Sequence, residues 1–124
     1  MATAIRAADI LVVDDDDDLR EALTEFFHEC GFSVAGAAHG QLALDWMRKN
    51  GLPGLVLLDM RMPIMDGAAF RQEQLRDPGL RDVPVFLFTA TAGQEVVDAI
   101  NPLRVFRKPP DSEELLSAVR SVLQ

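Results

Sequence analysis

The sequence predicts an α/β fold in which a doubly wound, five-stranded parallel sheet carries helices on both faces. Five short apolar runs start 22, 23, 28 and 20 residues apart, which leaves room for a helix and two loops after each run. Strands in a sheet with one solvent-exposed face alternate apolar and polar residues, and these runs do not. Each strand is therefore expected to be buried on both faces of the sheet. The runs are Ile10–Val13, Phe32–Ala35, Leu55–Leu58, Val83–Phe88 and Leu103–Phe106.

The length and composition predict a single domain over residues 1–124. A chain of 124 residues buries roughly two thirds of its unfolded surface when it folds. The hydrophobic fraction of 48% and the charged fraction of 26% exclude a disordered or a collagen-like chain. No linker, low-complexity tail or repeat divides the sequence, so a second domain is not expected.

Charge and cysteine content narrow the classes of function. Twelve basic and twenty acidic residues give a net charge of -8, which repels phosphate backbones and anionic lipids, so direct nucleic-acid or membrane binding is not expected. Cys30 has no second cysteine to pair with, and Arg6 and Asp9 interrupt the apolar N-terminal residues that a signal peptide would need. We therefore expect a cytoplasmic protein.

Helices are predicted in the four segments between the strands and in the segment after the last strand. Gly31 and Gly51 stand where the C-terminal caps of the first two helices belong. The third segment, Ala68–Arg76, has a weaker apolar stripe because Arg71 and Gln74 interrupt it. The apolar stripe of the first helix is Leu19, Leu23, Phe26 and Cys30, and that of the second is Gly40, Ala43, Leu44 and Met47. The fourth helix is predicted over Ala92–Ile100, before Asn101-Pro102. The fifth begins at Asp111, with Glu114 at capping-box spacing, and its apolar stripe is Leu115, Val119 and Val122.

Reactive side chains cluster where predicted strands end. Asp14 and Asp15 follow the first strand, Asp59 the third, Thr89 the fourth and Lys108 the fifth. Open parallel sheets bind ligands at the carboxyl ends of their strands. These residues, distant in sequence, are therefore expected to converge on one rim of the sheet.

Three crowded carboxylates need a cation among them. Each pair repels by about 1 kcal/mol in water and about 4 kcal/mol at an intermediate dielectric constant. Carboxylate oxygens favour Mg²⁺ or Mn²⁺ over zinc, and neither His28 nor His39 ends a strand. Lys108 is expected to pair with Asp59 and then to meet a phosphoryl oxygen, while the Thr89 hydroxyl donates to another.

Each of these residues also has a purely structural interpretation. An aspartate that ends a buried strand often only begins a turn, and threonine is common in strands. Their joint placement favours a site. By contrast, the later acids Asp16, Asp17 and Asp18 are interpreted as caps and surface charge at a helix N-terminus, and Trp46 and Cys30 as packing residues.

These motifs together resemble the receiver domain of response regulators, the chemotaxis-type module of two-component signalling. The resemblance extends from about residue 9 to about residue 123 and implies a flavodoxin-like sheet with strand order 2-1-3-4-5. The segments that carry it are Ile10–Asp16 followed by Leu19-Arg20, Val56–Gly67, Asp82–Val85 with Thr89-Ala90, and Lys108-Pro109.

The resemblance implies a role for each residue at the rim. Asp59 would accept a phosphoryl group from a phosphohistidine of a histidine kinase or a histidine phosphotransfer protein. Asp15 and Asp59 would coordinate Mg²⁺ (or Mn²⁺) directly, Arg61 would contribute its backbone carbonyl, and Asp14 would act through water. Lys108 would hold a phosphoryl oxygen and be followed by a cis peptide bond. The protein would be a signalling switch, and its only catalysis would be its own phosphorylation and dephosphorylation.

The implied switch couples Thr89 to an aromatic residue three positions before the lysine. That position is Val105 here, and the neighbouring Phe106 is expected to face the core because side chains alternate along a strand. These differences, with others at Asn101-Pro102 and Pro110, leave open an alternative, a phosphorylation-independent docking module. The implied partners are the phosphodonor protein, a downstream protein target and, in a homodimer, a second copy of the chain. A metal-dependent phosphohydrolase is disfavoured, because it would need a second aspartate at the position after Met60, which is arginine.

Overall fold

A parallel five-stranded sheet between two helical layers forms the structure, a computed structural model that describes residues 6–90 and 93–124. The strands are β1 (Ala8–Val13), β2 (Val34–Ala37), β3 (Pro53–Asp59), β4 (Val85–Thr89) and β5 (Arg104–Arg107). The helices are α1 (Asp17–Glu29), α2 (Gly40–Asn50), α3 (Gly67–Arg76), α4 (Gln94–Ile100) and α5 (Ser112–Leu123). The order β2-β1-β3-β4-β5 confirms the predicted fold. In the described part of the chain, no helix has the length and hydropathy that crossing a membrane requires.

The strand register brings the carboxyl ends of the strands to a common rim. All four strand pairs are parallel, and β1 lies between β2 and β3. Each of the first four strands is followed by a helix that leads the chain back to the level where the strands begin. All five strands therefore run in the same direction, and their carboxyl ends lie along one rim of the sheet. The residue pairs nearest that rim are Val13 with Leu58, Asp59 with Phe88, and Thr89 with Arg107.

The two faces of the sheet bury separate apolar clusters. Alternate residues of β1, such as Ile10 and Leu11, point to opposite faces and are both fully buried. One face packs against α1 and α5, and the other packs against α2 and α3. The first cluster includes Val12, Phe27, Leu57, Phe86, Phe106, Leu115 and Val119; the second includes Val13, Leu44, Met47, Val56, Leu58 and Phe70.

The predicted second strand is displaced by two residues. The expectation of a strand over Phe32–Ala35 is wrong, since β2 begins at Val34. Gly31 takes φ +96° after α1, and the amide of Phe32 donates to the carbonyl of Phe27 at 3.0 Å. Phe32 is thus an apolar residue of the turn, whose ring packs 6.2 Å from that of Phe27, and this burial produced the strand-like signal.

The helix ends follow the expected capping chemistry except in the fourth helix. The Asp16 carboxylate accepts from the amide of Leu19 at 3.1 Å, and Asp111 caps α5 in the same way. The predicted start of the fourth helix at Ala92 lies outside the described residues. Helix α4 itself has Gly93 as its N-cap, with no side-chain hydrogen bond. Its C-cap is Asn101, which has φ +49°.

The two polar residues that weaken the apolar stripe of α3 hold this helix in place. The buried Gln74 side-chain amide donates to the carbonyls of Leu80 at 3.0 Å and Val83 at 2.9 Å. Its oxygen accepts from Arg71 at 2.8 Å, and the same guanidinium donates to the carbonyl of Ile100 at 2.8 Å. These contacts attach α3 to the loop before β4 and to the C-terminal end of α4.

Replacing Gln74 with alanine should lower the free energy of unfolding by about 2–3 kcal/mol, because two buried carbonyls lose their donor. Urea unfolding followed by circular dichroism measures the change. Gln72→Ala is the matched control, since Gln72 is exposed on the same helix, and it should change stability by less than about 0.5 kcal/mol. Equal stabilities of the two variants would contradict this account of α3.

Candidate functional site

Asp14 is the most fully constrained carboxylate of the rim. It follows β1 directly and is 1% exposed. One of its oxygens accepts from the amide of Asp16 at 2.9 Å, and the other accepts from the ammonium of Lys108 at 2.7 Å. Its own amide donates to the carbonyl of Ala37 at 3.1 Å. Both carboxylate oxygens and the amide therefore have fixed partners.

Asp59, the last residue of β3, lies beside the same ammonium. It is 6% exposed, and its Oδ1 accepts from the amide of Met60 at 2.8 Å. The same Oδ1 is 3.2 Å from Nζ of Lys108. The expected pairing of Lys108 with Asp59 is confirmed, although the contact with Asp14 is the shorter one.

The three aspartates named from the sequence come together. Asp14, Asp15 and Asp59 each present one carboxylate oxygen, and these oxygens lie within 4.8 Å of one another. Asp15 is exposed, whereas its two neighbours are buried. A set of three hard anionic oxygens close to one another fits Mg²⁺ or Mn²⁺. Arg61 has an exposed side chain two residues beyond Asp59.

The electrostatics of this cluster are unbalanced toward negative charge. Burial, and then the charge of Asp14, raise the pKa of Asp59 to about 6, although Lys108 acts to lower it. Burial disfavours the charge on Lys108, but the hydrogen bonds and charges of Asp14 and Asp59 outweigh it and raise its pKa. One ammonium therefore does not compensate the acids fully, and an added divalent cation would be attracted.

Lys108 directly follows β5, and Thr89 is the last residue of the neighbouring strand β4. The backbone amide of Lys108 donates to the carbonyl of Thr89 at 3.0 Å, and the ammonium lies 5.2 Å from the centre of the Phe88 ring. The peptide bond between Lys108 and Pro109 is cis, as expected. Thr89 is buried next to this lysine, so the structure brings the predicted hydroxyl to the same rim.

The β5 side chains alternate as predicted. Phe106 is 4% exposed and packs in the core with Phe86, at 5.4 Å between ring centres. Val105 is 40% exposed on the opposite face of the strand. The position three before Lys108 therefore carries a short, outward side chain.

The loop after Asp59 depends on Gly67, the last residue of the Val56–Gly67 segment that carries the resemblance. The amide of Gly67 donates to the carbonyl of Met60 at 2.9 Å, which closes the loop on itself. A methyl group on Gly67 would lie 2.5 Å from the carbonyl oxygen of Asp59, so no larger residue fits. The loop also accepts from α2, since the amide of Gly40 donates to the carbonyl of Met65 at 3.0 Å. The Asp-Gly pair in the sequence was the available signal.

Comparison with protein families agrees with this geometry. The model of the response regulator receiver domain matches residues 10–120. The chain belongs to this family. Receiver domains bind Mg²⁺ at their acidic pocket, and the cluster of Asp14, Asp15 and Asp59 is compatible with that ion.

Curated relatives differ in how much of their length this receiver domain covers. The sporulation initiation phosphotransferase F of Bacillus subtilis is 36% identical over 118 residues, which are 92% of each chain. A probable transcriptional regulator, ycf27, of Porphyra purpurea is 38% identical over 120 residues, which are 93% of this chain but 47% of the relative. The chain thus spans about half the length of several curated relatives that it matches.

Solved structures of receiver domains superpose on this one. Chemotaxis protein CheY4 of Vibrio cholerae has a TM-score of 0.82 at 26% identity, covering 92% of this chain and 97% of the other. The receiver domain of a signal transduction histidine kinase from Syntrophus aciditrophicus has a TM-score of 0.84 at 28% identity, covering 94% and 89%. The likeness extends over nearly the whole fold.

The stability of the metal-free receiver domain should fall as the pH rises from about 4 through about 6. The folded state keeps a proton on Asp59 up to about pH 6, whereas the unfolded state releases it near the usual value of 3.8, so the unfolded state binds fewer protons in this window. Asp59→Asn removes this titration. Its unfolding free energy, measured by urea unfolding without divalent cations, should increasingly exceed that of the wild type across this range.

Carbon NMR of the Asp59 carboxyl group measures the same titration directly. The midpoint should lie near 6 in the wild type and should move upward in Lys108→Met, because the ammonium that lowers the pKa is lost. A midpoint near 3.8, or a downward move in the variant, would contradict the electrostatic description.

Proposed function

We propose that this receiver domain is the phosphoacceptor of a two-component phosphorelay. Asp59 takes a phosphoryl group from a phosphohistidine of a histidine kinase or a histidine phosphotransfer protein, in a Mg²⁺-dependent reaction that switches the binding of a downstream protein. The observation that carries the proposal is the convergence of three carboxylates with Lys108, whose ammonium is 2.7 Å from Asp14 and 3.2 Å from Asp59.

The proposed transfer needs little from the protein beyond position and charge. A carboxylate oxygen of Asp59 attacks phosphorus, the bond between phosphorus and the imidazole nitrogen breaks, and the leaving nitrogen keeps the electron pair. The attacking group must be ionised, and a pKa of about 6 leaves it mostly ionised at neutral pH. Lys108 holds one oxygen of the transferred group, and the Thr89 hydroxyl donates to another.

We extend the proposal to the metal ligands that the family resemblance implies. We assign Asp15 and Asp59 as direct ligands of Mg²⁺ or Mn²⁺, the backbone carbonyl of Arg61 as a third ligand, and Asp14 as a contact through water. Their hard oxygen donors and their uncompensated charge support this assignment. When bound, the cation supplies the positive charge that neutralises phosphoryl oxygens.

The wider setting of the proposal rests on charge and on the relatives. The protein acts as a switch whose only catalysis is its own phosphorylation and dephosphorylation, with residues 1–124 as a single cytoplasmic domain. Its net charge of -8 disfavours direct contact with nucleic acid or membrane surfaces. The phosphotransferase of Bacillus subtilis, matched over 92% of its length, supports a protein partner on the phosphodonor side. The proposal includes a homodimer as a further assembly.

Incubation with acetyl phosphate and Mg²⁺ should add one phosphoryl group to the intact mass of the protein. The adduct should be absent after chelation and absent in Asp59→Asn, because the nucleophile is lost. Asp18→Asn is the matched control, since Asp18 is exposed on α1, and it should keep the adduct. An undiminished adduct in Asp59→Asn would overturn the assignment of the acceptor.

One observation favours a second candidate, a phosphorylation-independent docking module. Val105 occupies the position where the family switch uses an aromatic residue, and it is exposed at the surface. A cavity of about 180 Å³ beside it is lined by Thr89, Gln94, Val97, Val105 and Arg107. Valine has no aromatic ring, so the aromatic partner that the family switch uses at this position is replaced by a short aliphatic side chain.

Amide NMR spectra with and without beryllofluoride, in the presence of Mg²⁺, separate the two functions. The phosphoacceptor proposal expects shifts that extend from Asp59 and Thr89 to β5 and α4. Asp59→Asn should show none of these shifts. Shifts confined to the immediate neighbours of Asp59, with β5 unchanged, would favour the docking module.

A further inference from the structure

Arg20 places a cation inside the acidic segment that forms the site. Its Nη1 donates to the backbone carbonyl of Asp14 at 2.7 Å, and its Nη2 pairs with the carboxylate of Asp17 at 2.6 Å. The side chain is 22% exposed, although it lies only two residues after a run of five aspartates. An arginine serving only as a surface ion pair on α1 would not need to reach the backbone of the preceding strand.

The stem of Arg20 is held by the neighbouring strand as well. A methyl group on Gly36 in β2 would lie 3.2 Å from Cδ of Arg20 and 3.4 Å from its Cγ. The missing side chain at Gly36 therefore makes room for the arginine stem to cross the edge of the sheet. Arg20 is thus located by three elements, namely the end of β1, the first turn of α1 and the surface of β2.

The contact with the Asp14 carbonyl completes the restraints on that residue. Its amide, both carboxylate oxygens and now its carbonyl oxygen have partners. Because a peptide group is planar, fixing the carbonyl of Asp14 also fixes the amide of Asp15 and the direction in which that residue leaves the strand. Asp15 is exposed and would otherwise be driven away from the negative charges of Asp14 and Asp59.

We propose that Arg20 is a positioning residue for the divalent cation, because it orients the peptide between Asp14 and Asp15 so that the Asp15 carboxylate stays beside Asp59. This inference rests on the proposed function in one respect, that a divalent cation binds these carboxylates. It assigns to an arginine, which cannot itself ligate a cation, a favourable effect on cation binding.

Charge and position predict opposite results when Arg20 is replaced. Loss of a positive charge near the acids would by itself strengthen cation binding. Loss of a positioning contact would weaken it, and replacing groups that orient metal ligands typically costs about 10-fold or more in metal affinity. The sign of the change therefore distinguishes the two effects.

Calorimetric titration of the full chain with MgCl₂ gives the test. Arg20→Gln should bind Mg²⁺ about 10-fold more weakly than the wild type. Arg20→Lys keeps the charge but lacks the planar guanidinium that donates from two separate nitrogens, so it should also bind more weakly, to a smaller extent. Arg48→Gln, which removes an exposed arginine paired with Asp77 away from the site, is the charge-matched control and should bind like the wild type.

A kinetic measurement separates positioning from general damage to the fold. With acetyl phosphate as donor, the Mg²⁺ concentration for half-maximal phosphorylation should rise in Arg20→Gln, while the rate at saturating Mg²⁺ should return close to that of the wild type. Unchanged or tighter Mg²⁺ binding in Arg20→Gln, or a lower saturating rate with unchanged Mg²⁺ dependence, would overturn the inference. Failure of the proposed function would be seen separately, as a wild type that neither binds Mg²⁺ nor forms an adduct.

Discussion

The ammonium of Lys108, shared between Asp14 and Asp59, is the interaction on which the rest of the site depends. Two carboxylates that are almost fully buried could not both remain charged at the end of neighbouring strands without a cation between them. Lys108 supplies that cation and lowers the pKa of Asp59, but burial, and then the charge of Asp14, still raise that pKa to about 6. The site therefore attracts further positive charge.

The parallel sheet is what allows this interaction to form. Asp14 and Lys108 are 94 residues apart in sequence, and only the common direction of the strands brings them to the same rim. The loop after β3 then has to turn sharply without covering the Asp59 carboxylate. Gly67 makes this turn possible, because its missing side chain lets the start of α3 approach the backbone of Asp59.

The sequence contained most of the fold and of the candidate site. Buried parallel strands leave long apolar runs, and polar residues that end such runs, such as Asp59 and Lys108, can be placed on the rim without coordinates. Sequence patterns do not show which apolar residue lies in a turn, so they predict a strand residue at Phe32, which lies in a turn. Nor do they show which polar side chain satisfies distant backbone groups. Gln74 and Arg20 both donate to backbone carbonyls. Every residue has a carbonyl, so the sequence does not indicate which ones these side chains contact.

The attachment of α4 at one end has a mechanical consequence. The Arg71 guanidinium donates a hydrogen bond to the carbonyl of Ile100 at the C-terminal end of α4. The N-terminal end of this helix has Gly93 as its N-cap and no capping side chain. Because α4 is held at Ile100, a tilt of this helix would pivot near Ile100. The largest displacement would then occur at the opposite end, which follows Thr89.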